Sequence, residues 1–154
     1  MCEHCGCRGV EPIAELMDEH FELLELGGEV RRSLAAGDRD AAASRLVDLA
    51  RLLTDHTGRE ERGIFAALKA QGDFVDAVVD LEGEHAGFDT VLAGLDPDAP
   101  DFEGRVGRLL RELGDHIDKE NLGIFPVAVV TLGASGWELV AEAGGPAGVG
   151  QRAS

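Results

Sequence analysis

Tyrosine is absent from the 154 residues, and cysteine occurs three times, always within the first seven positions. The first absence excludes a tyrosinate ligand or a tyrosyl radical. The second leaves no disulfide to staple the body of the chain. Basic residues are also scarce: 14 Lys and Arg stand against 30 Asp and Glu, a net charge of −16. A nucleic-acid partner would require clustered Lys and Arg to neutralise phosphate, and an anionic lipid surface would repel so acidic a chain. No apolar run approaches the ~20 residues of a membrane span. The first residues lack the basic flank and apolar stretch of a signal peptide. The expectation is a cytoplasmic protein with no membrane and no nucleic-acid partner.

Strand alternation and Asn-Gly hairpins are missing too. What is present is helical periodicity and enough apolar content, 44%, to bury a core rather than form a disordered acidic tail. Ile13, Leu16, Met17, His20, Leu23, Leu24, Val30 and Leu34 trace one face of a first helix. A turn at Ala35–Asp38 follows, with Asp38 expected to cap a second helix over about 40–71. Gly72 and Asp73 make the next break, with Asp73 as the expected cap of a third helix over about 74–93. Two prolines in the segment 95–101 mark a loop, and a fourth helix spans about 102–132. The fold class is therefore all-α: an antiparallel up-down-up-down four-helix bundle over 10–132. A Cys-rich segment precedes it at 1–9. A short helix over 137–143 and a flexible tail over 144–154 follow it.

Four of the five histidines fall one per helix, at His20, His56, His85 and His116. Between His20 and His56 the chain climbs and descends by similar numbers of residues, so at ~1.5 Å per residue the rises nearly cancel. All four rings are then expected at one level. Glu60 and Glu120 each follow a histidine by four residues, on the same helix face one turn on. Four imidazoles and two carboxylates suit two adjacent divalent or trivalent metal ions, and His and Glu accept iron, zinc or manganese. An internal repeat supports the pairing: His56, Glu60, Gly63, Ile64 and Phe65 recur sixty positions on as His116, Glu120, Gly123, Ile124 and Phe125. Glu19–His20 and Glu84–His85 echo each other as well, at an offset of sixty-five. Gly63 and Gly123 make room either for the metals or for close helix packing. Phe65 falls opposite His56 on a regular helix, and Pro126 is expected to kink the fourth helix.

The pattern resembles the hemerythrin-like, or HHE cation-binding, domain: one His on the first helix, His-x3-Glu on the second, His on the third and His-x3-Glu on the fourth. The resemblance covers about 13–132 and implies a four-helix bundle around two oxo- or hydroxo-bridged iron ions. His20, His56, Glu60, His85, His116 and Glu120 would be the ligands, with the two carboxylates bridging. Ferritin-like di-iron proteins instead need a Glu-x-x-His pair on each of two helices, and only Glu82 with His85 has that spacing.

Two departures bear on function. Oxygen-carrying hemerythrins place another His one turn after the third-helix His, where this chain has Asp89, and they separate the fourth-helix His and carboxylate by five residues rather than four. Asp89 is a candidate ligand or pocket acid, with a surface role about equally expected. Two octahedral ions offer about twelve positions, of which the bridges and histidines fill about ten. The resemblance thus implies a small-molecule ligand, O2, H2O2 or NO, with catalase-like peroxide decomposition or nitric-oxide handling as the favoured activity. A non-enzymatic oxygen, redox or iron sensor, or an oxygen-binding protein, is the alternative. Monomer and homodimer are equally compatible.

The acids preceding each histidine, Glu19, Asp55, Glu84 and Asp115, are either hydrogen-bond acceptors for the rings or, preferentially, outward charges. Glu61 is expected on the solvated face. Cys2, His4, Cys5 and Cys7 form a candidate zinc or redox site; an incidental N-terminus is the competing reading.

Overall fold

The computed structural model describes residues 10–144. The Cys2, His4, Cys5 and Cys7 cluster and the tail beyond Gly144 lie outside the described residues. Among the described residues there is no strand. No helix among them is long and apolar enough to cross a membrane.

The first helix, α1, is Glu11–Ala35, with Pro12 in its first turn, where the missing N–H is no loss. Next come α2 (Arg39–Glu60), a π-helical segment π1 (Glu61–Phe65) and α3 (Ala66–Gln71), running without a break. Asp38 caps α2 as expected, its carboxylate accepting from Ala41 N at 3.0 Å. Asp73 does not cap the following helix. Gly72 ends α3 at φ 79°, and Asp73 N turns back to Leu68 O at 3.1 Å, a Schellman-type closure. The Asp73 carboxylate is drawn to Gln71 Nε2, leaving Phe74, at φ 56° and without a side-chain cap, to lead α4 (Val75–Ala93).

Beyond the Pro-rich loop, α5 (Phe102–Lys119), π2 (Glu120–Ile124) and α6 (Phe125–Thr131) form a second continuous run. Pro126 stands at the start of α6, directly after the π turn, where the regular i→i−4 ladder is already broken. The last helix, α7 (Ala134–Gly144), is longer than the expected 137–143.

Two apolar clusters form the core. One gathers Ile13, Leu16 and Met17 of α1, Ile64, Phe65, Ala67 and Leu68, Val78 and Leu81 of α4, Ile124, Phe125 and Ala128, and Val140 of α7. The other gathers Leu23 and Val30 of α1, Leu46, Leu49 and Leu53 of α2, Phe88 of α4, and Val106, Leu109, Leu110, Leu113 and Ile117 of α5. Along each long run a histidine lies where one cluster gives way to the other. The six expected ligands therefore form a polar layer between two dry ones.

The expected alternatives for Gly63 resolve toward packing. A Cβ there would stand 3.1 Å from Ala143 Cβ and 3.4 Å from the Val140 backbone, whereas a Cβ at Gly123 meets nothing within 4 Å. The glycine lets α7 seat on π1. Gly123→Ala is expected to raise stability by up to ~1 kcal/mol through helix propensity. In Gly63→Ala that gain is opposed by displacement of α7, so its melting temperature falls below that of the Gly123 variant in parallel thermal melts.

Candidate metal centre

Six side chains converge in the polar layer. His20, His56, His85 and His116 are at most 3% exposed, and Glu60 and Glu120 are fully buried. Both carboxylates reach both pairs of rings. Glu60 lies 3.3 Å from His56 Nε2 and 3.4 Å from His85 Nε2. Glu120 lies 3.0 Å from His20 Nε2 and 3.2 Å from His116 Nε2. The side chains fall into two groups of metal-holding geometry, His20 and His56 with both glutamates, and His85 and His116 with both glutamates.

Every ring turns Nε2 inward because Nδ1 is claimed from outside. Nδ1 of His56 donates to Glu19 at 2.8 Å, that of His116 to Glu84 at 2.8 Å, that of His85 to Glu61 at 2.7 Å and that of His20 to Asn121 Oδ1 at 2.8 Å. An acceptor at Nδ1 fixes the tautomer that leaves the Nε2 lone pair free for a metal, and it raises that lone pair's basicity. Glu19 also pairs with Arg59, and Glu84 with Lys119 at 2.6 Å.

These acceptors depart from the expectations. Glu19 and Glu84 take the less favoured of the two expected roles and bond ring nitrogens, each on a neighbouring helix. Asp55 and Asp115 are exposed, and Asp55 pairs with Arg59. Glu61 is not a purely solvated charge, since it holds His85. Asn121 was not singled out by the sequence at all, although the sixty-residue repeat sets it opposite Glu61. Asp89 is exposed and stands outside both groups. On α4 the residues three and four beyond His85 diverge to opposite sides of it. Phe88 takes the inner side, edge-on to His116 at 5.2 Å, and Asp89 the outer one.

The π turns were not expected either. One extra residue in a turn shifts the helical phase by ~100°. That shift brings Phe65 from the far side of the helix to stack on His85, and Phe125 to stack on His20, both at 5.5 Å. Both phenylalanines are fully buried and close the layer against the first apolar cluster.

The electrostatics are those of a site awaiting positive charge. Burial lowers the proton affinity of His85, but Glu120, Glu60 and Glu61 outweigh it and raise its pKa to about 9. His56 and His116 are also raised, for the same balance of burial against carboxylates. Burial pushes the Glu120 carboxyl up, but its histidine neighbours hold it well below the usual range. Even so, Nε2 of His20 and His56 and all four carboxylate oxygens lack a hydrogen-bond partner of good geometry. Buried polar atoms left this way cost ~1–3 kcal/mol each. A pair of cations between them would satisfy all six, so the donor set fits two metal ions.

A family model described as the hemerythrin HHE cation-binding domain matches residues 11–128. Neither the curated proteins nor the solved structures hold a match to the chain. The matched range contains all six inward-facing residues and all four acceptors behind the rings, and the chain belongs to the hemerythrin HHE cation-binding domain family.

Proposed function

We propose that the chain is a non-haem di-iron protein that binds dioxygen or a related small oxidant, with peroxide the favoured reactant and nitric oxide next. The observation that carries this reading is the convergence of four Nε2 atoms on two buried carboxylates between two dry layers, with six of these atoms short of a hydrogen bond of good geometry. In it, His20 and His56 hold one ion, His85 and His116 the other, and Glu60 and Glu120 are shared. Such a pair supplies electron exchange with small oxidants. Two rings and two carboxylates would face each ion, fewer donors than an octahedral ion takes, which would leave room for a small exogenous ligand.

The chain's own residues do the rest. Glu19, Glu61, Glu84 and Asn121 hold the rings in register. Phe65, Phe125 and Phe88 wall the site and exclude bulk water. Because every proposed ligand is buried, access is restricted to molecules of a few atoms, which favours O2, H2O2 and NO over larger substrates.

The same reading takes 10–132 as an antiparallel four-helix bundle. What supports it is the order of the apolar clusters around each histidine. The first cluster precedes His20 and His85, whereas the second precedes His56 and His116. An order that alternates in this way is what reversal of chain direction from one long run to the next would produce.

Iron analysis, an optical spectrum and peroxide consumption test the function together. Two irons per chain, ferric bands that bleach on reduction, and loss of added peroxide are expected. Reversible oxygen spectra without consumption of peroxide or nitric oxide would overturn the turnover reading in favour of an oxygen-binding protein. A preparation that selects zinc or manganese over iron would overturn the iron assignment.

A further inference from the structure

The repeat that relates the two halves of the site is nearly complete. Arg59, Glu60 and Glu61 recur sixty positions on as Lys119, Glu120 and Asn121. The contacts repeat with them: His56 is backed by Glu19 and then Arg59, and His116 by Glu84 and then Lys119. The symmetry of charge breaks at one residue. Nδ1 of His85 donates to the carboxylate of Glu61 at 2.7 Å, and Nδ1 of His20 donates to the carboxamide of Asn121 at 2.8 Å. The two acceptors hold their rings at nearly the same distance, so they differ in charge and not in placement.

We propose that Asn121 makes the two metal positions unequal: the position served by His85 and His116 binds its ion more tightly than the position served by His20 and His56. The inference rests on the two-metal reading above. A carboxylate behind an imidazole draws the Nδ1 proton outward and makes Nε2 a stronger donor; a neutral amide orients the ring without that gain. Both rings of the His85–His116 position have carboxylates behind them, and only one ring of the other position does. The cations behind Glu19 and Glu84 do not decide the order: Arg59 is shared between Glu19 and Asp55, and Lys119 on Glu84 is 58% exposed. The missing charge at Asn121 is the difference that remains. With less charge behind their rings, His20 and His56 would leave an ion at their position more electron-poor, and its ferric form would be the easier of the two to reduce.

Anaerobic titration of the full chain with ferrous ion tests this, comparing wild type with Asn121→Asp, Asn121→Ala and Glu61→Gln. Asp is isosteric with Asn and adds only charge. Asn121→Asp is expected to tighten the weaker of the two binding steps by about 10-fold and leave the stronger unchanged, while Asn121→Ala weakens that same step. Glu61→Gln is expected to weaken the stronger step by a factor within the 10–100-fold range of lost outer acceptors. In the iron-loaded proteins, a tenfold change in the ferric-to-ferrous affinity ratio moves a one-electron potential by about 59 mV. The Asn121→Asp shift is accordingly expected in the higher of the two potentials. If Asn121→Asp instead tightens the stronger step, or behaves as Asn121→Ala does, the inference is overturned while the two-metal reading stands. A wild-type chain that takes up no ferrous ion overturns both.

Discussion

Replacing Glu60 and Glu120 together by glutamine is expected to reduce bound metal from two ions per chain to fewer than one while the chain still folds. Each carboxylate lies within 3.4 Å of rings from both halves of the layer, so neither metal position survives intact when both are neutralised. Loss of a residue that only supports a ligand typically costs 10–100-fold in affinity, and loss of shared ligands costs at least the upper end of that range. Folding is a separate matter. The metal-free layer holds buried carboxylates against histidines whose proton affinity they raise. Neutralising only the carboxylate side of such pairs typically costs ~3–5 kcal/mol, less where the remaining rings can shed their protons, so the metal-free variant is expected to melt below metal-free wild type. Elemental analysis after iron reconstitution, paired with thermal melts in chelator, separates the two effects. A double variant that keeps two ions would remove Glu60 and Glu120 from the site.

The second large effect is the response of the metal-free protein to pH. His85 has a folded pKa of about 9 against an ordinary value of 6.5, and His56 and His116 are shifted in the same direction. A group whose pKa rises on folding contributes stability that is complete below its unfolded value and lost as pH climbs through the folded one. Chelator-treated protein is therefore expected to be most stable near or below pH 6.5 and to lose stability toward pH 9. The slope reaches at most about 1.4 kcal/mol per pH unit for each excess proton the folded state holds. Glu120 acts at the opposite end, because its depressed pKa confines its own loss to strong acid. Metal competes with these protons, so its affinity rises with pH and its binding releases protons. Melting temperatures at pH 6, 7, 8 and 9, with and without iron, check the sign: the stabilisation by iron should grow with pH. Metal-free melts that stay level over that range would contradict a proton-loaded layer.

The two experiments probe the same layer from different sides. One removes the anions that attract cations, and the other varies the protons that stand in for them. Agreement between them would tie the buried carboxylates to metal binding rather than to core packing.

Local periodicity in the sequence was enough to determine the helical runs, the single histidine on each and the two glutamates one turn beyond. These features depend only on spacing along a helix, and burial of a polar residue inside an apolar stripe follows from that spacing. The tertiary structure decided what stands behind each ring. Glu19 serves His56 and Glu84 serves His116 because the acceptor comes from an adjacent helix, and its identity depends on how the helices are rotated about their axes. No spacing within one helix encodes that rotation. The π turns are another such case: a one-residue change of phase leaves the composition untouched, yet it carries Phe65 and Phe125 into the core. Asp89 and Gly63 follow the same logic. The outward turn of Asp89 was settled by Phe88 filling the inner side, and the need for Gly63 by α7 lying over it. The six residues that converge in the polar layer, and the Asn121-for-Glu61 difference, were thus legible from local order and repeat, whereas the orientation of the rings and the walls around them arise from packing between helices, a property no single segment possesses.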